Sequence, residues 1–543
     1  MLKYFVLGTT LWLVFGCAPT EEVTDATGVK QDRPNIVLIV ADDLGYTDLG
    51  AFGGEISTPN LDQLANNGVR LTNFHTSASC APTRAMLLTG TDNHIAGMGS
   101  QGTLVTPQQA KHRAYQNRLL PEVPTFTESL QKAGYRTYMA GKWHLGYVQE
   151  SRPAARGFDH SFALMQGGAG HFDDTELFAD YGATWLEDDE PVVLPTDFYS
   201  SDFLVETLKK YISGTPSEQP YFAYLSFTAP HWPLQAPATS IAKYKGVYDA
   251  GWDLLRAKRM AGAQAVGVVP IDAEAVDFEA SMVPWNALNE LEKADAVARM
   301  KVYAAMVDRL DENVGLLLKH IEARGELDNT VFIFLSDNGA EGHDMESPTR
   351  HGEWLTENFD NSVNNIGTKT SYVALKTAWA RATAAPFRDS KSKVSEGGIR
   401  VPAFFSLPNQ AGNGGGRIDS AYMRVMDLGE TILELAQGEP NAQSMGRSLL
   451  PRWRGGVAPY AEDEVIAFEV YGRRGAQRGP WKILLQEPPY GTSEWQLYNL
   501  DRDLGEQEDL SDEHPKIRTA LIAAWTEYAR EVGVVLPEIP PRY

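Results

Sequence analysis

The strongest constraint on the fold is an unbroken apolar run, Ile36-Val37-Leu38-Ile39-Val40, followed by Asp42-Asp43. A strand with one wet face alternates apolar and polar residues. A continuous run fits a strand buried on both faces, as in a parallel sheet covered by helices. Similar runs recur at 135–140, 221–227, 331–335 and 401–407, with helical patterns at 60–68, 125–133, 202–212, 294–324 and 426–436. This alternation predicts an α/β domain over 34–450, with a mainly parallel mixed central sheet flanked by helices. The stretch 232–293 has weak strand signal and reads as surface helices and loops. Beyond about 450 the pattern changes. Short strands at 466–471, 481–486 and 495–499 and a closing helix at 515–532 predict a small C-terminal α+β subdomain with an antiparallel sheet, over 451–543.

Composition narrows the function classes. A chain of 543 residues with 43% hydrophobic content and 12 tryptophans buries a sizeable core and is not disordered. A net charge of −23 argues against a nucleic-acid partner, which would need clustered Lys and Arg. The 2 cysteines, Cys17 and Cys80, can build neither a disulfide framework nor a thiolate zinc site. Lys3 and the apolar stretch Tyr4 to Phe15 read as an export signal over 1–16, too short to span a bilayer. Val14-Phe15-Gly16-Cys17 resembles a bacterial lipobox, which implies lipidation of Cys17, a polar tether over 17–33, and a periplasmic or outer-membrane-anchored lipoprotein. Contact with membrane is then expected only through the lipid.

In open α/β sheets the site lies beyond the carboxyl ends of the strands. Asp42-Asp43 follow the first run, Lys142-Trp143-His144 the run at 135–140, His231 the run at 221–227, and Asp337-Asn338 the run at 331–335. Lys391 precedes 401–407, in a loop leading to Glu396-Gly397-Gly398. Asp42, Asp43, Asp337 and Asn338 are hard oxygen donors that suit calcium or magnesium rather than zinc. One such pair alone reads as a turn or helix cap; two pairs in equivalent positions point to a metal.

Cys80-Ala81-Pro82-Thr83-Arg84 adds a second signal. Pro82 suits a first helical turn, so Cys80 is expected at or just before a helix N-terminus, where the dipole and free N–H groups favour an anion. Arg84, one turn in, can turn its planar fork to the same anion. Cys80 is then a low-pKa nucleophile or a precursor to one; a buried structural cysteine is the bland alternative.

These residues resemble the type I, formylglycine-dependent sulfatases. The likeness rests on Cys80-x-Pro82-x-Arg84 with Thr89-Gly90, on Pro34–Gly45, Gly141–Gly146 and Ala229–Pro237, and on Ser336–Gly342, Glu396–Pro402 and Trp495–Leu500. The His231-Trp232-Pro233-Leu234-Gln235-Ala236-Pro237 run and the tail look most like bacterial arylsulfatases of the Pseudomonas type. The resemblance implies an alkaline-phosphatase-like large domain. It also implies one calcium ion on Asp42, Asp43, Asp337 and Asn338, and a Cys80 converted to formylglycine (3-oxoalanine) by a maturation enzyme and itself touching the metal. The hydrated aldehyde would offer a hydroxyl to attack sulfur. By the same resemblance Arg84 and Lys142 fix formylglycine and metal-bound oxygens. His231 and Lys391 bind the sulfate and protonate the leaving oxygen, and His144 is the base that restores the aldehyde. Lys391 lies at the family spacing before Glu396-Gly397-Gly398, with Lys393 as the neighbouring alternative.

The expected activity is hydrolysis of an organic sulfate monoester, small or carbohydrate, to alcohol or phenol plus sulfate. One rival is a formylglycine-dependent phosphonate monoester or phosphodiester hydrolase. Another, of a different class, is a non-catalytic surface lipoprotein that binds sulfated glycans. Segments 95–120, 160–200 and 340–385 are expected to select the substrate. His75, His94, His171 and His351 show no partner spacing that assigns them a role.

Overall fold

The structure, a computed structural model, describes residues 33–177, 181–274, 276, 282–346, 351–407 and 416–538. The expected signal segment, Cys17 and the expected tether up to residue 32 lie outside these residues. The strands are β1 (Asn35–Ala41), β2 (Val69–Leu71), β3 (Phe74–His75), β4 (Arg136–Lys142), β5 (His160–Leu164), β6 (Trp185–Glu187), β7 (Glu190–Pro191) and β8 (Tyr221–Ser226). They continue with β9 (Thr330–Ser336), β10 (Ala403–Ser406), β11 (Arg417–Asp419), β12 (Met423–Arg424), β13 (Ile466–Val470), β14 (Arg473–Arg478), β15 (Trp481–Leu485) and β16 (Gln496–Asn499).

Ten of them form one sheet in the order β11-β2-β10-β9-β1-β8-β4-β5-β6-β7. The centre, β9-β1-β8-β4-β5, is parallel throughout. β10 runs antiparallel to β9 and β2, and β6 and β7 continue antiparallel at the other end, so the sheet is mixed as expected.

The continuous apolar runs are explained by two cores. Val37, Ile39 and Ala41 of β1 pack on one face with Phe332 and Phe334 of β9. Ile36, Leu38 and Val40 pack on the other with Val331, Ile333 and Leu335. The helices Pro59–Asn67, Ser200–Ser213, Gly251–Ala265 and Glu290–Ala323 cover the first face. Cys80–Thr89, Phe126–Lys132 and Asp427–Leu435 cover the second. Glu290–Ala323 starts on a capping box between Asn289 and Glu292, four residues before its expected start at 294.

The stretch 232–293 folds as helices and loops at the surface, as expected, with one helix face turned inward. The Gly251–Ala265 helix buries Trp252, Arg256, Arg259 and Met260. Arg256 donates to the carbonyls of Pro386 and Phe387 at 2.9 and 2.8 Å, and Arg259 pairs with Asp48 and with Glu55 at 2.8 Å. The helix thus clamps the loop that follows Asp42-Asp43. Arginine-rich sequence hides this, because long apolar stems are buried while the head groups are bonded.

The tail forms a four-stranded antiparallel sheet, β13-β14-β15-β16, covered by the Pro515–Val532 helix. β14, Arg-Arg-Gly-Ala-Gln-Arg, is the strand that hydrophobic pattern did not reveal.

Candidate active site

The four central parallel strands, β9, β1, β8 and β4, deliver their following residues to one edge. Asp42-Asp43 follow β1 and Asp337-Asn338 follow β9; Lys142 ends β4, and His231 lies in the loop after β8. β10 is antiparallel, so its amino end shares this edge. That topology explains why Lys391 reaches the site from before its strand.

Cys80 is the first residue of the Cys80–Thr89 helix, a helix buried along its whole length. Its Sγ lies 3.6 Å from Asp42 Oδ1 and 3.8 Å from Asp43 Oδ1. Burial pushes the thiol well above its ordinary range, against the pull of Lys142 and Lys391, so a thiolate is disfavoured at this position. One ligand atom from each of Asp42, Asp43, Cys80 and His231 falls within a 4.8 Å cluster.

The lysines converge on the carboxylates. Lys142 Nζ lies 2.8 and 2.7 Å from the two oxygens of Asp42. Lys391 Nζ lies 2.8 and 2.9 Å from those of Asp43, and 3.3 Å from Glu341. Lys393 points elsewhere, to His343 Nε2 at 3.3 Å and over the Tyr490 ring. Burial and the Arg473 charge bring Lys393 down to about 7.

Arg84 departs from the expectation that its fork would face an anion beside Cys80. Its Nε and Nη2 lie 2.9 and 2.8 Å from Asp337 Oδ2, and Nη1 donates to the Lys142 carbonyl at 3.0 Å and to Ser226 Oγ. The guanidinium holds a carboxylate and the end of β4 in place.

Asn338 Nδ2 donates to Asp43 Oδ1 at 2.6 Å and to the Gly339 carbonyl, leaving Oδ1 buried without a hydrogen-bond partner among the described residues. An orphaned amide oxygen beside Asp42, Asp43 and Asp337 is an all-oxygen donor set, which fits a hard divalent cation such as calcium.

The surroundings of both site histidines favour the neutral ring. Burial, then the charges of Lys391 and Lys142, pushes His231 well below its ordinary range. His144 is pushed down in the same way by burial, Lys142 and Arg84. His231 donates from Nδ1 to the Trp232 carbonyl at 2.5 Å, which leaves Nε2 facing Asp43 Oδ2 at 3.6 Å. His144 Nδ1 is buried without a hydrogen-bond partner among the described residues.

The chain has counterparts among known proteins. The sulfatase family model matches residues 34–438. The chain belongs to the sulfatase family. An arylsulfatase of Klebsiella aerogenes is 39% identical over 436 residues, covering 78% of this chain and 91% of its own. An uncharacterized sulfatase of Schizosaccharomyces pombe is 39% identical over 528 residues, covering 93% and 95%. Among solved structures, Ps i-CgsB in complex with k-i-k-neocarrahexaose is similar in fold, with TM-score 0.66 and 23% identity over 92% of this chain and 93% of that one. This sulfatase is accordingly a sulfuric ester hydrolase of alkaline-phosphatase-like fold.

Several residues around the sulfatase site escaped sequence reasoning. A Cβ on Gly167 would come within 2.6 Å of His144 Cε1, and one on Gly168 within 3.1 Å of His231, so both rings pack closely against this backbone. The Gly-Gly pair just after β5 was the available signal. His171 spans Ser200 Oγ at 2.8 Å and the His231 carbonyl at 3.0 Å, bracing the loop that carries His231. Glu341 joins Lys391 to His343. Trp232, Leu355 and Tyr372 form an apolar cluster beside His231, with Leu177, Trp354 and Phe359 at its edge.

Proposed function

We propose that this sulfatase cleaves organic sulfate monoesters, aryl sulfates foremost, using Cys80 matured to formylglycine and one calcium ion held by Asp42, Asp43, Asp337 and Asn338. The observation that carries the reading is the position of Cys80: a buried side chain at a helix start, within 3.8 Å of two carboxylates that two lysines grip. When present, calcium would supply a Lewis acid for a sulfate oxygen, and the hydrated aldehyde of residue 80 the attacking hydroxyl.

The chain's own residues do the rest. Lys142 and Arg84 fix Asp42 and Asp337, so the donor set is aimed before substrate arrives. Lys391 and His231 meet at Asp43, where they bind the sulfate and pass a proton to the departing oxygen. The anionic ester brings the negative charge that favours a protonated imidazole. His144, with its unpartnered Nδ1, accepts the proton that closes the cycle. The aromatic cluster beside His231 supports an aryl group, as does the Klebsiella relative's activity.

Parallel kinetics on 4-nitrophenyl sulfate and an aryl phosphonate monoester test the reading. Higher kcat/KM on the sulfate is expected; a much higher value on the phosphonate would overturn it. We further propose export and lipidation at Cys17. No helix among the described residues is long and apolar enough to cross a membrane. A Cys17→Ser variant should move from the membrane to the soluble periplasmic fraction, and unchanged fractionation would refute the anchor.

A further inference from the structure

The C-terminal sheet touches the site at two points through one turn. Tyr471 and Gly472 link β13 to β14, with φ of 60° and 88°. A two-residue hairpin loop with positive φ at both positions favours Asn or Asp before the glycine. A tyrosine in that conformation is strained, and what its side chain reaches accounts for its presence.

The Tyr471 hydroxyl lies 2.6 Å from Ser79 Oγ, and Ser79 is the residue before Cys80. Ser79 occupies the N-cap position of the Cys80–Thr89 helix but makes no side-chain cap bond. Its hydroxyl donates instead to Gln101 Oε1 at 2.9 Å, so the Tyr471 hydroxyl donates to Ser79. A good cap is diverted into a bond that fixes where the helix, and therefore Cys80, begins.

Two residues on, Arg473 is buried and bound to Glu487 through Nε and Nη2. Its Nη1 donates to the Ser392 carbonyl at 2.5 Å. Ser392 lies between Lys391 and Lys393 and has a φ of 71°. Its N–H donates to the Ala78 carbonyl at 2.7 Å. The backbone of Ser392, directly after Lys391, is thus held at its N–H by the Cys80 loop and at its carbonyl by the C-terminal sheet.

We propose that Tyr471 and Arg473 are positioning residues of the hydrolytic site: Tyr471 sets the nucleophile through Ser79, and Arg473 sets the sulfate-binding ammonium through Ser392. The inference rests on the roles given above to Cys80 and Lys391. It makes the C-terminal sheet part of the catalytic apparatus, although it supplies no reacting group.

The two residues serve different functions, so they should separate in kinetics. The test measures kcat and KM on 4-nitrophenyl sulfate for the full chain, each rate divided by the formylglycine fraction from the mass of the Cys80 peptide. Tyr471→Phe keeps the ring and removes one hydroxyl. It is expected to lower kcat about tenfold with KM within about twofold, since a misaimed nucleophile costs turnover rather than binding. Arg473→Met is expected to raise KM about tenfold, and Arg473→Lys, which keeps one charged donor, to recover part of that loss. Wild-type kinetics in Tyr471→Phe, or equal scaling of kcat and KM effects with lost thermal stability in both positions, would overturn the proposal. Cys80→Ala and Lys391→Ala are the controls. If they are inactive while Tyr471→Phe and the Arg473 variants behave as wild type, positioning fails and the site reading stands. If they remain active, the site reading itself fails.

Discussion

His94 sits between two carboxylates, whereas His144 lies among the positive charges of Lys142, Arg84 and Lys391. Both ring nitrogens of His94 are used. Nδ1 bonds Asp92 at 2.9 Å and Nε2 bonds Glu469 of β13 at 2.7 Å, while Tyr528 of the closing helix donates to Asp92 at 2.8 Å. Burial opposes the charged ring, but the hydrogen bonds of Asp92 and Glu469 outweigh it and hold the imidazole up at about 9. At the sheet edge the opposite holds: three carboxylates crowd together, and Asn338 Oδ1 and His144 Nδ1 are unpartnered among the described residues. A satisfied buried network joins parts of a fold; an unsatisfied one marks a place kept for something else to bind.

The sharpest way to break this contrast is Asp337→Ala. It removes one proposed metal donor and the partner of Arg84. Loss of measurable turnover and of calcium binding by calorimetry is expected; activity that survives rigorous calcium removal would refute the metal assignment. Next comes His231→Ala, expected to cost on the order of 10²-fold in kcat on alkyl sulfates and clearly less on nitrophenyl esters, because acid help matters most for poor leaving groups. Equal losses on both would remove that role.

The other side of the contrast is tested by His94→Leu. It strands two buried carboxylates and should cost about 3 kcal/mol in chemical denaturation, with kcat and KM of the folded protein unchanged. The smallest effect is the pH dependence. Because the folded pKa of His94 is raised, its stabilisation is fully present below about pH 6.5 and is lost as pH rises through about 9. Denaturation midpoints of wild type and His94→Leu should therefore converge above pH 9; a constant gap would contradict the charged His94.

Much of this was legible in the chain because the signals were local. Strands buried on both faces must be apolar throughout, so β1, β8 and β9 stood out. Residues just past those strands were then readable as the site. What escaped depends on neighbours distant in sequence. β14 reads as a polar loop until Arg473 finds Glu487 and Ser392 and Gly475 makes room for the Phe468 ring. The strands β6, β7 and β11, two or three residues each, are too short to show a pattern. Arg84 was expected to face an anion, yet its partner, Asp337, lies 253 residues away. His171 acts on a backbone carbonyl, which carries no residue-type signature.

The central claim is that Cys80 works as an aldehyde rather than a thiol at this edge. Protein from a maturation-competent host can be split into preparations of differing maturation, and the Cys80 peptide of each weighed after hydrazone trapping. The account predicts that turnover of 4-nitrophenyl sulfate rises in proportion to the aldehyde fraction and vanishes with it. Full turnover from protein whose Cys80 is wholly thiol would contradict it.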